Sequence, residues 1–325
     1  MISAASPRGK RPPCFFYPCL QGRPCGQLYW KPGSRAGYPG LPKPARSSLM
    51  GTKTRLGRIR YINVLPIYYA LDKGLVANGF QVVAGTPAEL NRQLYQGRLD
   101  VSAISSYEYG RHWEDYLLLP RLSISTRGDV GSVLFFSRLP FHRLSGKEVL
   151  LSAGSATSAA LVKIILAELY GARPLYRVGP VTDRFTDGCY GLLAIGDEAL
   201  RLKARGCYPY FLDLGRAWHE LTGLPFVFGV WAAREDYFEQ HPEAVYFAHQ
   251  TLLAAKALGL NSLTEICRQA AAAVPLPQEE LLAYFHRLNY ELDAGQQEGL
   301  EAFFGYLYKF GEFPELPQLQ FVDSR

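Results

Sequence analysis

The chain has 325 residues, a hydrophobic content of 48% and a formal net charge of +6. No run of about 18 apolar residues occurs, so the sequence predicts no membrane span and no membrane partner. A positive net charge is typical of nucleic-acid-binding proteins, but residues 1–50 hold eight Lys or Arg and no Asp or Glu. That segment alone carries +8, which leaves −2 for residues 51–325. We therefore expect no nucleic-acid partner for the folded part.

Residues 1–50 form the first predicted segment and show neither helical nor strand periodicity. They hold nine of the 22 prolines and three of the six cysteines. Ordered patterning begins just after Met50, so we predict that 1–50 is a disordered or non-native N-terminal extension. Translation from Met50, a genuine disordered tail and a transit peptide stay open as explanations. A secretory signal is not predicted, because no apolar core follows a charged start.

The cysteines beyond that segment indicate a reducing compartment. Cys189, Cys207 and Cys267 are odd in number and widely spaced. This pattern is typical of free thiols in a cytosolic protein. We therefore expect a cytoplasmic location.

Strand and helix patterns alternate from residue 55 onward. Strands are predicted at 56–62, 80–84 and 99–104, and a short helix at 67–73. The second helix begins after Thr86, with Pro87 in the first turn and Glu89 three residues beyond Thr86, which is a capping-box pattern, and it ends at Gly97. This β-α-β-α-β order predicts a parallel sheet with helices on its faces.

A second α/β unit follows, and the chain then becomes helical. Its predicted strands are 133–137, 148–152 and 190–195, with a helix at 159–170. A further strand, predicted at 226–232, returns the chain to the first unit. The later predicted helices are 236–260, 262–273 and 277–310.

Two α/β units joined by two crossings, near 135–141 and 225–232, predict an α/β fold shaped as a two-lobed clamshell. The ligand cleft would lie between the lobes, and the C-terminal segment would be helical. We assign residues 51–138 plus 229–325 to lobe 1 and residues 139–228 to lobe 2.

Polar turns follow several predicted strands, at the strand ends where α/β folds bind ligands. The turn Gly-Ser-Ala-Thr-Ser at 154–158 leads into a helix, whose N-terminus favours an anion. Capping needs only one of its hydroxyls, so plain capping stays an alternative. Asp197 is predicted chiefly as an N-cap, with a pocket role left open. The candidate ligand-contacting residues are Asn63, Ser105, Ser106, Ser132, Ser155, Thr157, Ser158 and Asp197.

Several common catalytic patterns are missing from the sequence. There is no His/Cys spacing typical of a metal site, no GxSxG nucleophile turn and no GxGxxG after the first strand. We therefore expect neither a metal nor a cofactor.

Seven motifs in chain order resemble the chorismate dehydratases of the futalosine route to menaquinone. They are Tyr-Ile-Asn-Val-Leu-Pro at 61–66, Ser-Ser-Tyr-Glu-Tyr at 105–109, Leu-Leu-Leu-Pro at 117–120, Gly-Ser-Val at 131–133, Ser-Ala-Thr-Ser at 155–158, Ile-Gly-Asp-Glu-Ala at 195–199 and Thr-Gly-Leu-Pro-Phe-Val at 222–227. The resemblance implies a fold similar to type 2 periplasmic binding proteins. It also implies a hydro-lyase reaction that converts chorismate to 3-[(1-carboxyvinyl)oxy]benzoate.

The resemblance also implies roles for the candidate residues. Asn63 and Ser132 match the polar contacts of the family near the reacting ring and are the expected catalytic residues. The base would be the enolpyruvyl carboxylate of the substrate itself. The expected substrate-binding residues are Ser105, Ser106, Ser155, Thr157, Ser158 and Asp197.

Two other readings share the predicted fold. A solute-binding protein would hold a small carboxylate without converting it, and fold alone does not separate the two. The dihydroxynaphthoate synthase of the same pathway has a first turn with Ser, Pro and Cys before an Asn-Asp pair, which this chain lacks. The sequence leaves the oligomeric state open.

Overall fold

The computed structural model describes residues 53–181, 187–274 and 276–324. The predicted N-terminal extension at 1–50 lies outside the described residues. The strands are β1 Arg55–Ile59, β2 Gln81–Gly85, β3 Val101–Ser105, β4 Tyr116–Thr126, β5 Val133–Ser137, β6 Glu148–Ser152, β7 Leu175–Gly179, β8 Gly191–Ile195, β9 Tyr210–Asp213 and β10 Phe226–Arg234.

Helices occupy both α/β units and the C-terminal segment. They are α1 Leu65–Asp72, α2 Pro87–Tyr95, α3 Ser106–Arg111, α4 Ala156–Glu168, α5 Gly196–Arg205, α6 Leu214–Thr222, α7 Glu235–Gln240, α8 Pro242–Leu260, α9 Leu263–Ala270, α10 Gln278–Arg287 and α11 Ala294–Lys309. The capping box of α2 is confirmed: Glu89 N donates to Thr86 Oγ1 at 3.3 Å, and Thr86 N donates to Glu89 Oε2 at 2.9 Å. Among the described residues, no helix is both long and apolar enough to cross a membrane.

The first sheet has the strand order β2-β1-β3-β10-β4. β1 runs parallel to β2 and β3, as predicted, and β10 runs antiparallel to β3 and β4. The strand β4 was not predicted, because Pro120 interrupts its apolar run and proline is unusual inside a strand. The interruption is accommodated where Arg121 takes a left-handed conformation, with φ of 62°, close to a register shift against β10.

The second sheet has the strand order β7-β6-β8-β5-β9. Its strand β5 pairs antiparallel with β8 along Val133–Ser137, although the predicted boundary at residue 138 left this segment in lobe 1. We therefore propose that the first crossing between lobes lies between β4 and β5. In this proposal the return crossing precedes β10, because β10 pairs in the first sheet.

The predicted helix at 277–310 is wrong as one element and consists of α10 and α11. The chain leaves α10 at Leu288, whose backbone is extended. Asn289 then exchanges backbone hydrogen bonds with Ser125 of β4, at 2.8 and 2.9 Å. Asp293 caps α11 by accepting from Gly295 N and Gln296 N. Strand-like pairing and a capping carboxylate both compete with a continuous helix.

Candidate functional site

A pocket lies where the strand ends of the two sheets meet. It is lined by Ile59, Tyr61, Ile62, Asn63, Pro87, Ile104, Ser105, Ile124, Val130, Ser132, Val133, Ser155, Ser158, Ile195, Gly196, Asp197, Leu200, Phe228, Gly229, Tyr284 and Leu288. Six of the eight candidate residues are therefore brought together, and Ser106 and Thr157 are not in this lining. Neither Lys nor Arg occurs among these described lining residues.

Asn63 lies in the tight turn between β1 and α1. The turn is a single 3-10 segment, Ile62–Val64, and Pro66 stands in the first turn of α1, where its missing N–H costs nothing. Within the described residues, Oδ1 of Asn63 is buried and has no hydrogen-bond partner. A buried polar atom normally has a partner, so this oxygen of a pocket-lining residue is available to a ligand.

Ser105 presents a hydroxyl whose acceptor positions are filled. Its Oγ caps α3 by accepting from Glu108 N at 3.2 Å, and it also accepts from Asn91 Nδ2 at 3.1 Å. A serine oxygen has two lone pairs and one proton, so the proton of Ser105 stays available to a ligand. Ser106 instead donates its hydroxyl to Val227 O at 2.6 Å.

Ser155 and Ser158 bring the N-terminus of α4 to the pocket. Ser155 Oγ accepts from Ser158 N at 3.1 Å and lies 2.9 Å from Ser158 Oγ. Capping therefore occupies part of this turn, while both residues still line the pocket. Thr157 is fully buried, and its Oγ1 accepts from Tyr107 N at 2.9 Å, so it holds α4 against α3.

Asp197 lies in the first turn of α5 and is not its N-cap, which corrects the predicted capping role. The N-cap is Ile195, whose side chain makes no capping hydrogen bond. Burial raises the pKa of the Asp197 carboxyl, and the charge of Arg201 partly opposes the rise. The pocket therefore combines apolar walls with one carboxyl group whose pKa is raised above its ordinary value.

Ser132 is held at the pocket by the chain around it. Its carbonyl accepts from Gly196 N at 2.7 Å. The buried carboxylate of Asp213 accepts from Val130 N at 3.0 Å and from Gly131 N at 2.7 Å. These bonds fix the segment between β4 and β5.

Tyr284 and Asp213 were not found by sequence reasoning. Tyr284 was assigned to one long helix at 277–310. In the structure its Oη lies 3.1 Å from Ser132 Oγ. Asp213 also caps α6, by accepting from Gly215 N and Arg216 N. Its position at the end of a strand before a helix is the sequence signal that would have found it.

Residues 54–309 match the protein family described as "Menaquinone biosynthesis". The chorismate dehydratase of Thermus thermophilus is 34% identical over 263 residues, which is 76% of this chain and 93% of that protein. The 1,4-dihydroxy-6-naphtoate synthase of the same organism is 28% identical over 257 residues, 75% of this chain and 89% of that protein.

The fold of this chain resembles those of solved structures. The periplasmic aliphatic sulphonate binding protein SsuA from Escherichia coli superposes with a TM-score of 0.56 at 13% identity, covering 84% of this chain and 96% of that one. This likeness confirms the expected α/β architecture of the periplasmic-binding-protein type. The extent of the family match and the higher identity to the dehydratase place the chain in the chorismate dehydratase family of menaquinone biosynthesis.

Proposed function

We propose that this protein dehydrates chorismate to 3-[(1-carboxyvinyl)oxy]benzoate. The reaction removes the hydrogen at C3 and the hydroxyl at C4, so the ring becomes aromatic. The observation that carries the proposal is the buried Oδ1 of Asn63, which has no partner within the described residues. Chorismate is a dianion at neutral pH, and its C4 hydroxyl is the one hydrogen-bond donor it offers. That hydroxyl is also the leaving group.

Asn63 would hold the leaving group through its side-chain amide. The amide carries both an acceptor and two donor hydrogens, so it can bind the hydroxyl in the substrate and also stabilise the charge that develops on it. An amide is neither acid nor base at neutral pH, so the proton at C3 needs another acceptor. The enolpyruvyl carboxylate of the substrate is our proposed base. Aromatisation of the ring makes the elimination favourable, and a carboxylate held close to the C3 hydrogen lowers the barrier to proton transfer.

The two carboxylates of chorismate would be bound by neutral donors. The N-terminus of α4, with Ser155 and Ser158, favours one anionic group. The free proton of Ser105 serves the other side of the pocket. Ser106 and Thr157 contact protein groups instead, so we propose that they support the walls of the pocket.

The direct test is to incubate the purified full-length chain with chorismate and no added metal or cofactor. We expect mass spectrometry to show the loss of one water and a product with benzoate-like absorbance, above a control without enzyme. Chorismate that binds and is recovered intact would overturn the dehydratase proposal in favour of a binding protein.

Asp197 makes the efficiency of the reaction dependent on pH. The raised pKa of its carboxyl, caused mainly by burial, keeps the group neutral below that value and negative above it. A negative carboxylate repels a dianion in a pocket whose described lining has no Lys or Arg. We therefore expect kcat/KM for chorismate to fall as pH rises through the pKa of Asp197, and Asp197→Asn to remove that fall.

The neighbouring acid supplies the control. Burial also raises the pKa of Glu198, but Glu198 is not in the pocket lining. Glu198→Gln should keep the fall in kcat/KM, measured by initial rates across the pH range. A profile that is the same in Asp197→Asn and in the wild type would remove Asp197 from this explanation.

A further inference from the structure

Tyr284 lies beside Ser132 in the pocket and has no assigned role. It comes from α10, in the C-terminal segment, and its side chain is only 4% exposed. Its Oη is 3.1 Å from Ser132 Oγ. Within the described residues, neither of these two hydroxyls makes another hydrogen bond.

The main chain of Ser132 is fixed, but its hydroxyl would be free to rotate without Tyr284. Bonds from Gly196 N to Ser132 O, and from Val130 N and Gly131 N to Asp213, hold only the backbone of this segment. The bond to Tyr284 is therefore what selects one orientation of the Ser132 hydroxyl.

In either direction this bond leaves one hydroxyl proton for a ligand in the pocket, which both side chains line. A phenol is a stronger acid than an aliphatic alcohol and is the better donor. Tyr284 therefore donates, and Ser132 accepts with its own proton left over. Burial raises the pKa of Tyr284 to about 12, so the phenol stays protonated at neutral pH.

We propose that Tyr284 is a positioning residue that directs the proton of Ser132 into the pocket, toward the oxygen that leaves C4 of the substrate. The inference rests on the proposed dehydration of chorismate. Tyr284 acts through Ser132, because only the serine hydroxyl then faces the developing charge. A hydroxyl that is already aimed needs no reorientation as the reaction proceeds.

The test is a double-mutant cycle in kcat with Tyr284→Phe, Ser132→Ala and the double variant. Tyr284→Phe should lower kcat about tenfold with KM little changed, since one neutral hydrogen bond is lost. In the Ser132→Ala background the same change should have no further effect. An equal loss in both backgrounds, or no loss in the wild-type background, would overturn the positioning role.

Tyr290 gives a matched control for removing a buried phenol oxygen. It is 3% exposed, its Oη has no partner within the described residues, and it is not in the pocket lining. Tyr290→Phe should leave kcat unchanged. A tenfold loss there too would assign the effect of Tyr284→Phe to general packing and overturn the proposal.

The experiment also separates this inference from the proposed function. If the wild-type chain binds chorismate without converting it, the dehydratase proposal fails, and the same cycle is read in the dissociation constant. Non-additive effects of the two substitutions on the dissociation constant would then support Ser132 as a ligand contact that Tyr284 orients. Additive effects would overturn that role. A chain that neither binds nor converts chorismate overturns both proposals.

Discussion

Asn63→Ala is expected to give a folded protein that still binds chorismate and converts it roughly 100- to 1000-fold more slowly. That range is typical for removing one donor that stabilises charge in a transition state. Binding should persist because the proposed carboxylate contacts, Ser105, Ser155 and Ser158, stay in place. Steady-state rates and equilibrium binding of chorismate measure the two effects separately.

Two further variants sharpen the result. Asn63→Asp keeps the shape of the side chain but replaces its donor with a negative oxygen, so it should lose turnover and also weaken the binding of a dianion. Asn261→Ala removes an exposed amide at the end of α8 and should change neither. If Asn63→Ala turns over chorismate at the wild-type rate, the amide has no part in the mechanism.

Local sequence signals predicted seven strands of the two α/β units, the capping box at Thr86 and six residues that line the pocket, but they missed β4, β7 and β9. These features depend on neighbours a few residues apart, such as the Asn63 turn between a strand and a proline-marked helix. Two adjacent candidates show the limit. Ser105 caps α3 and lines the pocket, whereas Ser106 turns to Val227 on another strand, and the choice depends on a partner 121 residues away.

The parts that sequence reasoning missed depend on long-range pairing. The break between α10 and α11 is held by Asn289 against Ser125 of β4, and β4 itself was hidden by Pro120. Tyr284 lies in α10, just before that break, and its hydroxyl contacts Ser132. A helical pattern that continues through 277–310 carries no information about a strand more than 150 residues earlier, so the contact between Tyr284 and Ser132 was not predictable.

Gly259→Ala is expected to destabilise the protein by roughly 2–3 kcal/mol, the cost of forcing extra atoms into a closely packed contact. A Cβ at Gly259 of α8 would lie 1.8 Å from the carbonyl oxygen of Pro66 and 2.6 Å from its carbonyl carbon. Both atoms are backbone, so α1 must move away from α8. Because Pro66 closely follows Asn63, we also expect lower turnover. Urea unfolding with an unchanged m value measures the loss of stability.

Gly305→Ala is the matched control, since both glycines lie inside long helices. Within the part of the chain that the structure describes, no atom outside the adjacent residues and the nearby backbone of α11 lies within 4 Å of a Cβ at Gly305. Alanine is there the better helix former, and we expect a gain of about 0.5–1 kcal/mol. If Gly259→Ala were as stable as Gly305→Ala, α1 would not pack on α8 at backbone distance. The turn that presents Asn63 would then need another support, because α1 is the element that follows it directly.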